Sequence, residues 1–162
     1  ELDLVPGERR GDDRQQQQDS GLVDRSVQGH RPTVARNDRT AAEVKECFDA
    51  YEAALMANDL VRLDAFFWDN QLVTRYGIAD RQFGIEQLRA FRAGTDAPRF
   101  TRTLHNLRIC TFGPDTAVAQ VEFVRSDTPL RGFQSQTWRR MPEGWKIVAA
   151  HVSMIPWTAH SN

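Results

Sequence analysis

Cysteine and lysine are scarce in this chain, and long apolar runs are missing. Cys47 and Cys110 are the only thiols, and no Cys-x-x-Cys spacing exists to build a redox or zinc site. Both are expected to be buried and reduced, as in a cytosolic protein. No stretch approaches the roughly eighteen apolar residues that a membrane-spanning helix needs. The histidines, at 30, 105, 151 and 160, show no metal-ligand spacing, and no glycine-rich phosphate loop, heptad or internal repeat is found. A metal and a cofactor are therefore both expected to be absent.

The first 39 residues contain no Phe, Trp or Tyr, although all fifteen aromatic residues of the chain lie between Phe48 and Trp157. This segment instead carries Gln15-Gln16-Gln17-Gln18 among Arg, Asp and Gly. With so little to bury it reads as disordered or non-native, an upstream translated stretch or cloning remnant. The folded domain is placed at 40–157, with 158–162 as a tail. From residue 40 onward, fourteen acidic residues balance fourteen basic ones, twelve of which are arginine. Such a balance favours neither nucleic acid nor an anionic membrane.

What is present is a strong pattern. Thr40-Ala-Ala-Glu43 has the form of a capping box. Val44, Cys47, Phe48, Tyr51 and Leu55 then form an apolar stripe at helical spacing, which turns Tyr51 inward. Asp59 is suited to cap a second, shorter helix. A third runs from Gly84 to Gly94, which is placed as its left-handed stop. From Phe100 the periodicity changes to two, giving strands near 100–112, 116–126, 131–141 and 145–155 separated by turn chemistry. Ala119, Val121 and Phe123 alternate with Gln120 and Glu122, so one sheet face is apolar. Helices first and hairpin strands afterwards predict an α+β fold, three helices packed on a curved antiparallel sheet. A second copy is expected to cover the remaining face, as a homodimer or larger symmetric assembly.

One residue breaks the pattern. In Leu72-Val73-Thr74-Arg75-Tyr76, alternation puts Arg75 on the same face as Val73. By pattern alone Arg75 is a surface or ion-paired arginine before it is a ligand group, and Tyr51 a core residue before it is a catalyst. If the strand lines a pocket, the planar guanidinium suits a carboxylate held through two parallel hydrogen bonds.

Tyr51-Glu-Ala-Ala-Leu-Met-Ala-Asn-Asp59, Arg75-Tyr76-Gly77, Gly84 to Arg92, and Ser135-Gln-Thr-Trp138 followed by Gly144-Trp145 and Ala149-Ala-His-Val-Ser153 carry a resemblance. They resemble the small family typified by HpxZ of oxalurate catabolism and AtzH of cyanuric acid catabolism. That family belongs to the nuclear-transport-factor-2-like, or SnoaL-like, superfamily of cone-shaped folds. The resemblance implies a cytoplasmic, metal-independent amidohydrolase that acts on 1,3-dicarboxyurea, a small dianionic urea, with loss of ammonia and carbon dioxide. Tyr51 and Arg75 match the positions expected to be catalytic.

Tyr51 would protonate a urea nitrogen, or act as a base if a nearby cation lowers its pKa. Gln136 and Trp138 share one strand face, and His151 and Ser153 another, so either pair could line the pocket together with Trp68 and His105. An accessory or dimerisation protein, and an isomerase or dehydratase of the same fold, are the competing functions.

Overall fold

The computed structural model describes residues 38–158, so the expectations for 1–37 and 159–162 lie outside the described residues. Among these residues three helices precede or interrupt six strands. Helix α1 (Asp38–Met56) is followed by α2 (Leu60–Phe66), strands β1 (Thr74–Tyr76) and β2 (Arg81–Phe83), and α3 (Ile85–Ala93). Four long strands complete the sheet: β3 (Arg102–Thr111), β4 (Thr116–Arg125), β5 (Arg131–Met141) and β6 (Gly144–Ile155). The strand order is β2-β1-β6-β5-β4-β3. This is the expected α+β arrangement, with β2, a strand the sequence did not announce, added at one edge.

The junction between the first two helices is set by two residues. Asn58 adopts φ 52°, a left-handed conformation that asparagine tolerates. There the Asp59 N–H reaches the Ala54 carbonyl at 2.9 Å and the Asn58 N–H the Leu55 carbonyl at 3.2 Å, satisfying carbonyls that the end of α1 would leave orphaned. Asp59 then caps α2, its carboxylate accepting from the Arg62 N–H at 3.1 Å, as expected.

The capping box does not form. Asp38 already belongs to helix α1, which places Thr40 inside the helix, where it is buried. Glu43 accepts instead from Trp145 Nε1 at 3.1 Å and from the Arg140 guanidinium on β5. These tertiary partners give a carboxylate stronger bonds than a single amide at the helix start. The stop of α3 differs too: Gly94 has φ −92° rather than a left-handed conformation, and its N–H closes on the Ala90 carbonyl at 3.1 Å.

Two irregularities decide which side chains face the helices. At His105/Arg108 the β3–β4 register shifts around Asn106, which has φ 54°. Arg102 and Leu104 face inward before this bulge, and Leu107, Ile109 and Thr111 after it. A second shift pairs Thr137 with Ala149 but Trp138 with Ile147, passing over Val148. Trp145 and Ile147 therefore point inward on one side of the shift, and Ala150 and Val152 on the other. The Asn106 bulge lets the long strand β3 bend with the expected curvature of the sheet.

The sheet is antiparallel except where β1 runs parallel to β6, with Arg75 opposite Ala150. Chain order forces this. The segment leaving α2 docks on the last strand, with Trp68 N–H donating to the Ile147 carbonyl at 3.0 Å, and β1 continues along that edge.

The core lies between α1, α2, α3 and the inner sheet face. Val44, Phe48, Leu88, Trp138 and Ile147 are fully enclosed, each contributing about 1.5–3 kcal/mol through burial. Cys110 was expected to join them but is exposed, because the bulge leaves it on the outward side of β3.

Candidate functional site

Beyond the dry core, the space between the helices and the same sheet face opens into a cavity of about 570 Å³. The same elements supply its walls. Tyr51, one turn beyond Phe48 on α1, lines it, and so do Phe91 and Arg92 on α3 and Arg75 on β1. Arg102, Gln134 and Gln136 form part of the sheet side. The loop between α3 and β3 supplies Asp96, Arg99 and Phe100.

Arg75 is built into a small polar network. Its Nη1 donates to Asp80 Oδ1 at 2.7 Å and to Gln82 Oε1 at 2.8 Å, and its guanidinium lies 4.7 Å from the centre of the Phe91 ring. Gln82 Nε2 donates to the same Asp80 oxygen at 2.9 Å, so the carboxylate orients both side chains. Arg92 Nη1 donates to Asp64 Oδ1 at 2.8 Å, with its guanidinium 4.5 Å from the Phe67 ring centre. Arg102 Nη2 donates to Gln134 Oε1 at 3.2 Å and stands 3.5 Å from Glu52 Oε1.

The arrangement of charge is asymmetric. Five arginines line the cavity (75, 92, 99, 102 and 125), against two aspartates, Asp80 and Asp96. Asp64 and Glu52, which hold Arg92 and Arg102, stand outside the lining. The carboxylates that compensate Arg92 and Arg102 stand outside the lining, while Asp80 lines the cavity beside Arg75; the surplus of guanidiniums over carboxylates favours a small anion.

Tyr51 sits in the middle of this field. Burial raises its pKa above the usual phenol value; Arg92, Arg75 and Arg102 pull it down and Glu52 adds to the rise. Desolvation wins, so the hydroxyl keeps its proton at neutral pH and can donate it. Of the two roles open to it, proton donor fits this environment better than base. The rings of Phe66 and Phe67 fix its orientation at centroid distances of 6.0 and 6.2 Å. Burial also lowers the pKa of Arg92, with Tyr51 and Asp64 opposing, and raises that of Glu52 against Arg102 and a hydrogen bond from Gln134.

Of the residues expected at the site, Tyr51, Arg75 and Gln136 meet in the cavity, and His151 reaches its rim. His151 is exposed, its ring 5.8 Å edge-on from Tyr76. Trp138 is fully enclosed in the core against Phe66, and Trp68 packs half-buried on that core. His105 is exposed on the outer face opposite Glu122. Ser153 pairs with Phe133 and lies outside the cavity lining. Among the described residues no group of three or more His, Cys, Asp or Glu side chains is placed to hold a metal.

Arg92, Arg102, Gln134 and Glu52 were not anticipated, yet three of them left a trace. Glu52 continues the Val44–Phe48 row at steps of four, and Arg92 follows Ile85 and Leu88 on the buried side of α3. Gln134 has the same strand parity as Gln136 and Trp138. A charged or amide residue on an apolar stripe was the available signal.

A sequence model of the AtzH-like family matches residues 34–157. The chain belongs to the AtzH-like family. Among solved structures, this AtzH-like chain is 45% identical to a protein of unknown function of the DUF3225 family from Pectobacterium atrosepticum, with TM-score 0.71 over 72% of this chain and 91% of that one. It is 44% identical to a cystatin-like fold protein from Burkholderia xenovorans, with TM-score 0.73 over 75% and 96%. A nuclear transport factor 2-like superfamily protein from Salmonella enterica, 24% identical with TM-score 0.61 over 77% and 97%, shares the fold. No curated protein matches the chain. The AtzH-like domain is thus an NTF2-like α+β fold, and no helix among its described residues is long and apolar enough to cross a membrane.

Proposed function

We propose that this AtzH-like protein is a decarboxylating amidohydrolase that acts, without a metal or cofactor, on 1,3-dicarboxyurea or a similar small N-carboxylated urea in cyanuric acid catabolism. The observation that carries this reading is that Tyr51, whose phenol pKa burial raises, and Arg75 line one cavity. Arg75 holds one carboxylate of the substrate through the part of its fork that Asp80 and Gln82 do not use.

The Tyr51 proton passes to the carbamate nitrogen. The bond from that nitrogen to the carboxylate carbon breaks with its electron pair left on nitrogen, and CO2 departs. The phenolate is stabilised by Arg92, Arg75 and Arg102 until it recovers a proton from water. Water then adds to the urea carbonyl carbon, and ammonia leaves after a second protonation. A cytoplasmic location and a homodimer or larger homo-oligomer belong to the same proposal, and light scattering at micromolar concentration checks the latter.

The deciding experiment follows CO2 and ammonia release from freshly generated N-carboxylated ureas with wild type, Tyr51→Phe and Arg75→Lys. Release above the spontaneous rate that collapses in Tyr51→Phe supports the reading. Turnover unchanged in both variants sinks it.

A further inference from the structure

Arg75 stands on the strand edge of the cavity, and the sheet side carries a second guanidinium in a different condition. Arg102 lies with its guanidinium 3.9 Å from the centre of the Phe123 ring. Phe123 can take that position because Gly132 is its partner on β5, where a Cβ would come within 2.1 Å of the ring. Nη2 of Arg102 is engaged by Gln134 and Glu52. Its Nε is buried with no hydrogen-bond partner, on a side chain only 7% exposed.

Gln136 repeats the situation on the same wall. Its Oε1 accepts from Trp138 Nε1 at 3.2 Å, while its Nε2 is buried with no partner, on a residue 1% exposed. Gln134, two residues earlier, shows the contrast: its Oε1 accepts from Arg102 and its Nε2 donates to Glu52 Oε1 at 3.1 Å. Native proteins leave few buried donors unpaired. Here two of them belong to residues lining one cavity, both are donors, and one is on a cation. The complement of such a pair is an anionic acceptor.

We propose that Arg102 and Gln136 form a second anion subsite, separate from Arg75, so that the cavity takes small linear dicarboxylates with one carboxylate at each end. This rests on the hydrolase reading for the identity of the substrate and deepens it by naming the residues that recognise the second carboxylate. Arg102 and Gln136 are then specificity determinants: they separate a dianion from the monoanion that Arg75 alone would accept.

The test is calorimetric titration of the full chain with acetate and propionate against malonate, succinate and glutarate. At least one dicarboxylate is expected to bind wild type about tenfold or more tightly than either monocarboxylate, the effect of one charge-assisted hydrogen bond. Arg102→Gln and Gln136→Leu should each abolish most of that preference while leaving monocarboxylate affinity within about twofold. If Arg102→Gln fails to fold, Gln136→Leu alone carries the test, since it removes the unpaired donor and keeps the volume. A wild type without the preference, or a preference untouched in the folded variants, overturns the subsite.

Turnover separates the two readings. Preference lost in the variants, with no release from N-carboxylated ureas by wild type, keeps the subsite and discards the hydrolase. Release with a KM unchanged by Gln136→Leu does the reverse.

Discussion

The two ends of one sheet face are built by the same strands and covered by the same helices, yet they do opposite things. At one end Trp138, Ile147, Ala117 and Ala119 meet Val44 and Phe48 in a dry core. At the other Gln134, Gln136 and Arg102 meet Tyr51 and Arg92 around a cavity. Along α1 the change comes within one turn, from Phe48 to Tyr51 and Glu52. Along β5 it comes in one alternation, from Trp138 to Gln136. The lesson is energetic. Burying polar groups is costly unless they are paired, so a face that turns polar while staying buried must either pair its groups or present them to a ligand. Glu52, Gln134, Asp64 and Arg92 are paired; Gln136 Nε2 and Arg102 Nε are not.

This contrast is open to attack at several points. The largest effect is expected at the polar end, where Tyr51→Phe should lower turnover on N-carboxylated ureas by about 10²–10⁴-fold while leaving the unfolding midpoint nearly unchanged. Loss of stability comparable to that of a core variant would instead mark Tyr51 as structural. At the dry end Trp138→Ala should lower stability by about 3–5 kcal/mol, read from denaturant unfolding, because the cavity it leaves is enclosed.

A smaller effect tests the border. The native pKa of Glu52 is raised, so its protonated form is favoured by folding. Its stabilising contribution is complete below the ordinary glutamate range and is lost as pH climbs from there through its native value. Glu52→Gln should therefore flatten that part of the stability-versus-pH curve, and an unchanged slope in chemical unfolding across the window would assign it to another group. The smallest effect belongs to the outer face: Cys110→Ser should change stability by less than about 0.5 kcal/mol. A thiol reagent should label Cys110 in the native protein before the half-buried Cys47.

Much of this was legible beforehand. The α1 stripe, the Asp59 cap, the four long strands and their turns follow from local rules, because periodicity and turn chemistry are short-range properties. The capping box at Thr40 failed for the opposite reason: Glu43 was claimed by Arg140 and Trp145, about a hundred residues away. Cys110 was assigned to the interior from the usual burial of reduced cysteine, and the Asn106 bulge, which local sequence rules do not show, turns it outward. Which face of β6 lines the pocket was left open, and the shift that passes over Val148 settles the facing of Ala150 and Val152.

The sequence by itself determined the class of fold, the inward direction of Tyr51 and the unusual position of Arg75, since each depends on spacing within one element. The tertiary structure alone decided that Tyr51 and Arg75 share a cavity with Arg92 and Arg102, and that the acids holding those last two guanidiniums stand behind them. It also set the direction in which the phenol pKa moves, upward through burial. The physical reason is that desolvation and charge coupling depend on distances across space, and those are set only when the helices close over the sheet.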